Sequence, residues 1–395
     1  MTVDMPDALR PLFDPALAES LVALRRDLHR NPELSWREEH TARRLRAALT
    51  ALGITDIAGV ANTGLVARVP GKHRGGGAIG VRGDIDALPI TEATSLPFAS
   101  ETPGVMHACG HDVHASWAVG AARLLLDRPA ERDVLVILQP AEELGEGARA
   151  ILESGAIDDV KMIFGGHVDR RFEVGRVVAQ SGPLAASTDS FTIALAGSGA
   201  HGARPHESSD PIVGAAALIG AIQTLVSRRL DPSEPGVVTV GTINAGSASN
   251  IIPDRAEMSG TVRATTPAAR ALLTRELRRI AESVAAAYGL TATVELSGGT
   301  PPIVNPPESA AIAREAVTTV LGADGITPLG TMNMGGEDFA VYMERIPGCF
   351  MRIGAREAGG KPIPAHSSGF YAAEGALFVG AAVLAESARI AARRL

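Results

Sequence analysis

One stretch of this chain reads as a complete small fold set inside a larger one that is not complete without both flanks. From residue 190 to 296 the apolar period switches in the order strand, helix, strand, strand, helix, strand. SFTIALA alternates with period two from Ser190, and 211–229 is a long Ala-rich helix. Residues 237–244 and 256–263 are strands, 267–288 a helix and 291–296 a last strand. This β-α-β-β-α-β order is the ferredoxin-like pattern, which closes on itself. Before it, residues 15–52 read as helix broken around Asn31 and Pro32. Strands at 63–69, 78–82, 134–138 and 161–164 then alternate with a helical stretch near 114–126. That alternation predicts an α/β sheet with helices on both faces.

The residues with the most chemistry in them lie on both sides of the insert. Cys109 and His111 sit in MHACGHDVHAS, Glu143 in LQPAEELGEGA, His167 in IFGGHV and His366 in PIPAHSSGF. If they share one site, residues 1–182 and 299–395 form one metal-binding domain, interrupted by the α+β domain 183–298. The turn-rich GGTPPIVNPP would carry the chain back out. A length of 395 residues also favours two domains over a single core.

Each of the five residues is a ligand type for a borderline transition metal. Taken singly, each has a plainer reading. Cys109 is a small buried hydrophobe, Glu142 and Glu143 an acidic helix start, and His167 and His366 ordinary loop histidines. Taken together they repeat one design, a strand or bend followed by a ligand, at the carboxyl ends where open α/β sheets place their sites. On extended backbone, the spacing of Cys109 and His111 would point both to one side. The pair Glu142 and Glu143 supplies one carboxylate for metal and one to move a proton, the minimum for metal-assisted hydrolysis. His107 and His114 flank the cysteine motif. His114, Asp84 and Asp86 are expected to orient ligands rather than to bind metal.

Composition narrows the partners. Net charge is -7 with no Lys/Arg block, which argues against nucleic acid. Only Cys109 and Cys349 are cysteines, so a reducing compartment is the default. The N-terminus MTVDMPDALRPLFD lacks a basic start and an apolar run. The longest apolar stretches, 212–222 and 376–385, are short of the roughly 20 residues of a membrane helix. The expectation is a cytoplasmic protein with no membrane partner. A rival signal is GSGAHG, whose Gly197, Gly199 and Gly202 spell a dinucleotide-binding fingerprint. That fingerprint needs a helix opening inside it and an acid about 20 residues on. Here Arg204 and Pro205 follow at once, and the region around Ile222 carries no acid.

At these residues the chain resembles the M20 metallopeptidase and aminoacylase family. The amidohydrolase branch, with its hippurate hydrolases, N-acyl-L-amino-acid amidohydrolases and indole-acetyl-amino-acid hydrolases, is the nearer match. The resemblance runs in order through RRDLHRNPELSWREEHTA, RGDIDALPI, MHACGHDVHAS, LQPAEELGEGA, GGHV, GAHGARPHESSDP, NIIPDRAEMSGTVR, MGGEDFA and PAHSSGF. It implies two divalent metal ions held by Cys109, His111, Glu143, His167 and His366, with Glu142 as general base and acid. Zinc or manganese would serve, with cobalt or nickel as alternatives. It implies that the inserted domain is a lid and dimerisation domain, so that a homodimer or homotetramer would form through it. His201 of that domain would stabilise the oxyanion, and Asn250 and Arg263 would hold substrate. The implied activity is hydrolysis of N-acyl amino acids. A dipeptidase, a deacetylase of an acetylated intermediate and a non-catalytic binding homologue are the alternatives. Two segments depart from the family: Val-Asp-Arg-Arg-Phe follows His167 where a Pro-containing turn is usual, and Ser368 stands where His-Ser-Pro is common.

Overall fold

The computed structural model describes residues 4–73 and 75–395. Its internal contacts divide the chain into two compact units. The first comprises Met1–Gly182, Asn305–Thr331 and Val341–Leu395, and the second Pro183–Val304 with Met332–Ala340.

The first unit is built on a seven-stranded mixed sheet. Its strands run in the order Ile57–Val60, Gly64–Val69, Val134–Gln139, Ala78–Asp84, Val160–Glu173, Gly348–Arg356, Val177–Val178. The four middle strands are mutually parallel and the outer pairings antiparallel. Every residue of Ala78–Asp84 and Val134–Gln139 is buried, as expected for strands covered on both faces. Helix Pro15–Arg30 starts where Asp14 accepts from the Leu17 N–H (2.8 Å) with proline in its first turn. It ends at Asn31, and a second helix, Glu39–Ala51, follows. Helices His111–Asp127 and Gly375–Arg394 pack so closely that a Cβ on Gly380 would lie 2.2 Å from the Trp117 ring. This unit's core draws on Trp117, Phe164, Phe378, Val81 and Val136.

One strand differs from the sequence reading. The apolar run 161–164 opens a strand that continues to Glu173, through Gly165 and Gly166. Its ladder with Ala78–Asp84 ends at Phe164, whereas its ladder with Gly348–Arg356 continues to Glu173. His167 therefore lies inside a strand, just beyond the point where one neighbour has left. The sequence placed it after the strand because glycines weaken strand signals.

In the second unit, strands Asp189–Ala196, Gly236–Ala245, Arg255–Ala264 and Thr291–Ser297 form an antiparallel sheet. The spatial order is 236–245, 255–264, 189–196, 291–297. Helices Pro211–Thr224 and Pro267–Ala287 pack on it, and Phe191, Ile193 and Leu195 meet Leu218, Ile222, Leu273 and Leu277 in one core. Both helices open on a proline with a side-chain cap, Asp210 or Thr266. The GSGAHG segment holds an isolated bridge at Ser198 and the short strand Ala200–His201, and the next helix of more than one turn opens at Pro211. It lacks the helix that a dinucleotide fingerprint requires.

Among the described residues, two helices are long and apolar enough to cross a membrane by length and composition, which the short apolar runs did not suggest. The apolar window of Gly375–Arg394 is wholly buried, which marks it as a core helix. Pro211–Arg229 buries Gly214, Leu218 and Ile222 against its own sheet.

Candidate metal centre

The cysteine motif is a turn, not the extended segment expected from its spacing. Gly110 has φ 86 and caps helix His111–Asp127, so His111 is already helical. Glycine is the residue that adopts this conformation without cost, and a Cβ here would lie 2.5 Å from Val168 Cγ2. The left-handed turn, rather than a strand pleat, brings Cys109 and His111 to one side.

Strand Val134–Gln139 delivers the acidic pair at its carboxyl end. Ala141 takes φ 51, and its N–H donates to Glu38 Oε1 at 3.0 Å. Thr63 Oγ1 donates to the other oxygen of Glu38 at 2.6 Å. Next, the Glu143 N–H donates to Asp86 Oδ2 (3.0 Å), which also accepts from Ser35 Oγ (2.7 Å). Asp86 Oδ1 lies 3.1 Å from His111 Nδ1. One buried aspartate thus orients two candidate ligands. Asp84 does the same for His114, at 2.6 Å from Nδ1. The second nitrogen of His114 accepts from the Val168 N–H (3.0 Å), so this ring has no lone pair left for a metal.

His167 Nδ1 donates to the Val168 carbonyl at 2.7 Å and leaves Nε2 facing Cys109 Sγ at 3.1 Å. Burial, and after it the Arg352 charge, hold this imidazole well below its usual pKa and therefore neutral. His366 has φ 62 and its N–H donates to the Ala108 carbonyl at 2.8 Å. Its Nε2 stands 3.3 Å from Glu143 Oε2, although the side chain is more than half exposed. The loop that carries it is fastened by Arg170, in the segment that departs from the family after His167. Arg170 donates to both oxygens of Glu357 (2.9 and 3.1 Å) and to the carbonyls of Ala355, Lys361 and Tyr371.

The five expected ligands and Glu142 fall into overlapping groups with ligand atoms within 4.8 Å of one another. These are Cys109 with His111 and His167, Cys109 with Glu143 and His366, and His111 with Glu142 and Glu143. A further group, Asp84 with His111 and His114, has the right residue types, but the His114 nitrogens are already committed. His111 Nε2 and Glu143 Oε1 lie 3.9 Å apart, both buried and without a hydrogen-bond partner. Buried polar atoms are seldom left so, and two ligand atoms aimed at one space fit a cation. Burial, then the Glu143 charge, push the Cys109 thiol up to about 12, so a thiolate here requires added positive charge. Burial opposes charge on His111, but Asp84 and Asp86 outweigh it and raise the imidazole well above its usual value.

The remaining site candidates lie in the second unit. His201 is exposed, pairs with Ile251, and accepts from the Ala203 N–H at Nδ1 (3.1 Å). The exposed Asn250 receives the Gly202 N–H on its carbonyl (2.8 Å), so it neighbours His201. Arg263 is half-buried opposite Val237. Sequence reasoning passed over Glu38, Ser35 and Arg352, which have no local pattern to reveal them.

The family model for peptidase family M20/M25/M40 matches residues 80–389. An N-acetylcysteine deacetylase of Bacillus subtilis is 42% identical over 87% of this chain and 90% of its own length. The IAA-amino acid hydrolase ILR1-like 4 of Arabidopsis thaliana is 35% identical over 93% of this chain and 84% of its own. Among solved structures, the Bacillus subtilis YXEP protein, described as a dinuclear metal binding peptidase from the M20 family, superposes with a TM-score of 0.86. It is 37% identical, over 97% of this chain and all of that one.

Proposed function

The chain belongs to peptidase family M20/M25/M40 and is a metal-dependent amidohydrolase, and from this premise we propose that it hydrolyses N-acyl amino acids to a carboxylic acid and an amino acid. The observation that carries the reading is the convergence of Cys109, His111, Glu143, His167 and His366, with two bare ligand atoms, on a space beside a second carboxylate, Glu142. Relatives named for N-acetylcysteine and for IAA-amino acid conjugates support the substrate class.

Cys109, His111 and His167 would hold one divalent ion, Glu143 and His366 the other, and Cys109 lies within reach of both sets. Ions bound there would supply Lewis acidity toward the amide carbonyl and the attacking water. Glu142 accepts the proton of that water as its oxygen bonds to the amide carbon. When the C–N bond breaks, the same carboxyl returns the proton to the departing amine. Asp86 keeps His111 in the tautomer that presents Nε2, and the Val168 carbonyl does the same for His167. For His201 as oxyanion donor, and for Asn250 and Arg263 as substrate residues, the support is the resemblance in GAHGARPHESSDP and NIIPDRAEMSGTVR.

The test is a panel of N-acetyl, N-benzoyl and longer N-acyl amino acids, with dipeptides for comparison. Each is assayed after chelation and again with added zinc, manganese or cobalt. Metal-restored release of amino acid from the acyl compounds is the expected result. Cleavage of the dipeptides alone would refute the reading.

A further inference from the structure

Among the described residues, five arginines are buried: Arg25, Arg82, Arg170, Arg352 and Arg389. Four are paired with a carboxylate, on Asp112, Asp84, Glu357 and Glu386 respectively. Arg352 is the exception. It is 8% exposed, its Nε is buried without a partner, and its side chain makes no hydrogen bond or ion pair with any described residue. Its guanidinium lies 5.8 Å from the centre of the Phe350 ring, which offers a face but no counter-charge.

A guanidinium does not escape this position by losing its proton. A buried charge without a partner is costly, so a folded chain keeps one where something else completes it. Its position says what that is. Arg352 is in register with His167 on the adjacent parallel strand, where strands run about 4.8 Å apart and registered side chains leave on the same face. Its other strand neighbour in register is Val178, an apolar residue. The buried acids Asp84 and Asp86 are engaged by histidines. Arg171, the next cation on the same face of the His167 strand, is committed to Asp169 at 2.6 Å.

We propose that Arg352 is a carboxylate-binding residue of the substrate site, its unpaired fork taking one carboxylate of the substrate beside His167. The inference rests on the amide-hydrolase reading above and adds to it a required charge on the substrate. A planar fork meeting a carboxylate forms two parallel charge-assisted bonds, which favour the acid over its neutral amide. The carboxylate has two sources, the α-carboxylate of the amino-acid half or an acid carried by the acyl half.

The experiment compares wild type, Arg352→Met and Arg352→Lys as metal-loaded full-length protein. Three substrates separate the sources: an N-acetyl amino acid, its carboxamide, and the N-succinyl amino acid carboxamide, which bears its acid only on the acyl side. Arg352→Met should lower kcat/KM for the acid-bearing substrate by about a hundredfold, mainly through KM, and leave the plain carboxamide within about threefold. Whichever acid-bearing compound shows the loss identifies the source. Arg352→Lys should recover part of it, since charge remains and the fork does not. Without substrate, Arg352→Met should melt at or above the wild-type temperature, because an unpaired buried charge has gone. Calorimetric binding of the three compounds to Glu142→Gln protein, with and without Arg352→Met, reads recognition independently of turnover. Acid-selective weakening there supports the arginine's role even if the amide-hydrolase reading fails. Equal loss on acids and plain carboxamide with a lowered melting temperature would show a structural arginine and overturn the proposal. Unchanged binding and kinetics throughout would overturn it as well.

Discussion

Asp86→Asn separates orientation of the metal centre from its construction. Asp86 Oδ2 accepts from Ser35 Oγ and the Glu143 N–H at 2.7 and 3.0 Å, and Oδ1 faces His111 Nδ1 at 3.1 Å. An asparagine keeps the shape and has one acceptor oxygen. The two bonds at Oδ2 outnumber the one at Oδ1, so the amide oxygen takes the Oδ2 place and the NH2 turns to His111. Nδ1 must then accept, and the ring proton moves to Nε2, the atom that lies unpartnered beside Glu143. A protonated Nε2 cannot bind a metal. Loss of such an orienting partner typically costs about 10–100-fold in metal affinity, or about 1.4–2.8 kcal/mol. The hydrogen bonds to Ser35 and Glu143 survive, so the fold should melt within a few degrees of wild type. The measurement is titration of chelator-stripped protein against a chromophoric competitor. One binding step should weaken by that factor and the other should hold. Two unchanged steps in a natively melting Asp86→Asn protein would refute the tautomer argument.

Glu142→Gln should retain the full metal content, because Glu143 is the assigned ligand, and lose at least about two orders of magnitude in kcat, the scale of general acid–base catalysis. Near wild-type kcat in fully loaded protein would contradict the assignment. Glu357→Gln addresses the loop that carries His366. The Arg170 hydrogen bonds, against some burial and with help from Tyr371, lower the Glu357 carboxyl from 4.5 to about 2. A folded-state value below the unfolded one adds stability above pH 4.5, and that stability is lost as pH falls from 4.5 through about 2. The acid limb of the melting-temperature profile should therefore be shallower in Glu357→Gln across that window. Parallel profiles would show that the pair adds nothing. Glu357 is partly exposed, so the difference should be modest.

The parts of this molecule that could be read in its sequence are those with local causes. Period-two and helical runs between 190 and 296 display the second unit's element order, because each strand and helix there buries one face of its own residues. Cys109, Glu143, His167 and His366 stand out because their types are unusual beside bends. What could not be read depends on partners far along the chain. The extension of strand Val160–Glu173 through two glycines depends on Gly348–Arg356, nearly two hundred residues later. The left-handed turn at Gly110, where Val168 leaves no room for a side chain, does not show in the spacing of Cys109 and His111. The solitude of Arg352 is invisible in FMRIGAR, since the absence of a partner is a property of the surroundings.

The late arrival of Gly348–Arg356 has a consequence for how the protein is made. On a chain emerging from its N-terminus, Val160–Glu173 is synthesised long before the strand that pairs with it to Glu173. Through that interval its outer edge offers open backbone groups and an apolar surface, the features that invite mispairing between chains. Residues of the second unit emerge during the same interval, and they hold their own core. The proposed metal centre also waits, because His366 follows Gly348–Arg356 in the chain. Ions taken up earlier would meet Cys109, His111, Glu143 and His167 without the fifth side chain. Expression yield should then depend on how quickly Gly348–Arg356 is added and docked, and a chain truncated before that strand should be left with an exposed sheet edge.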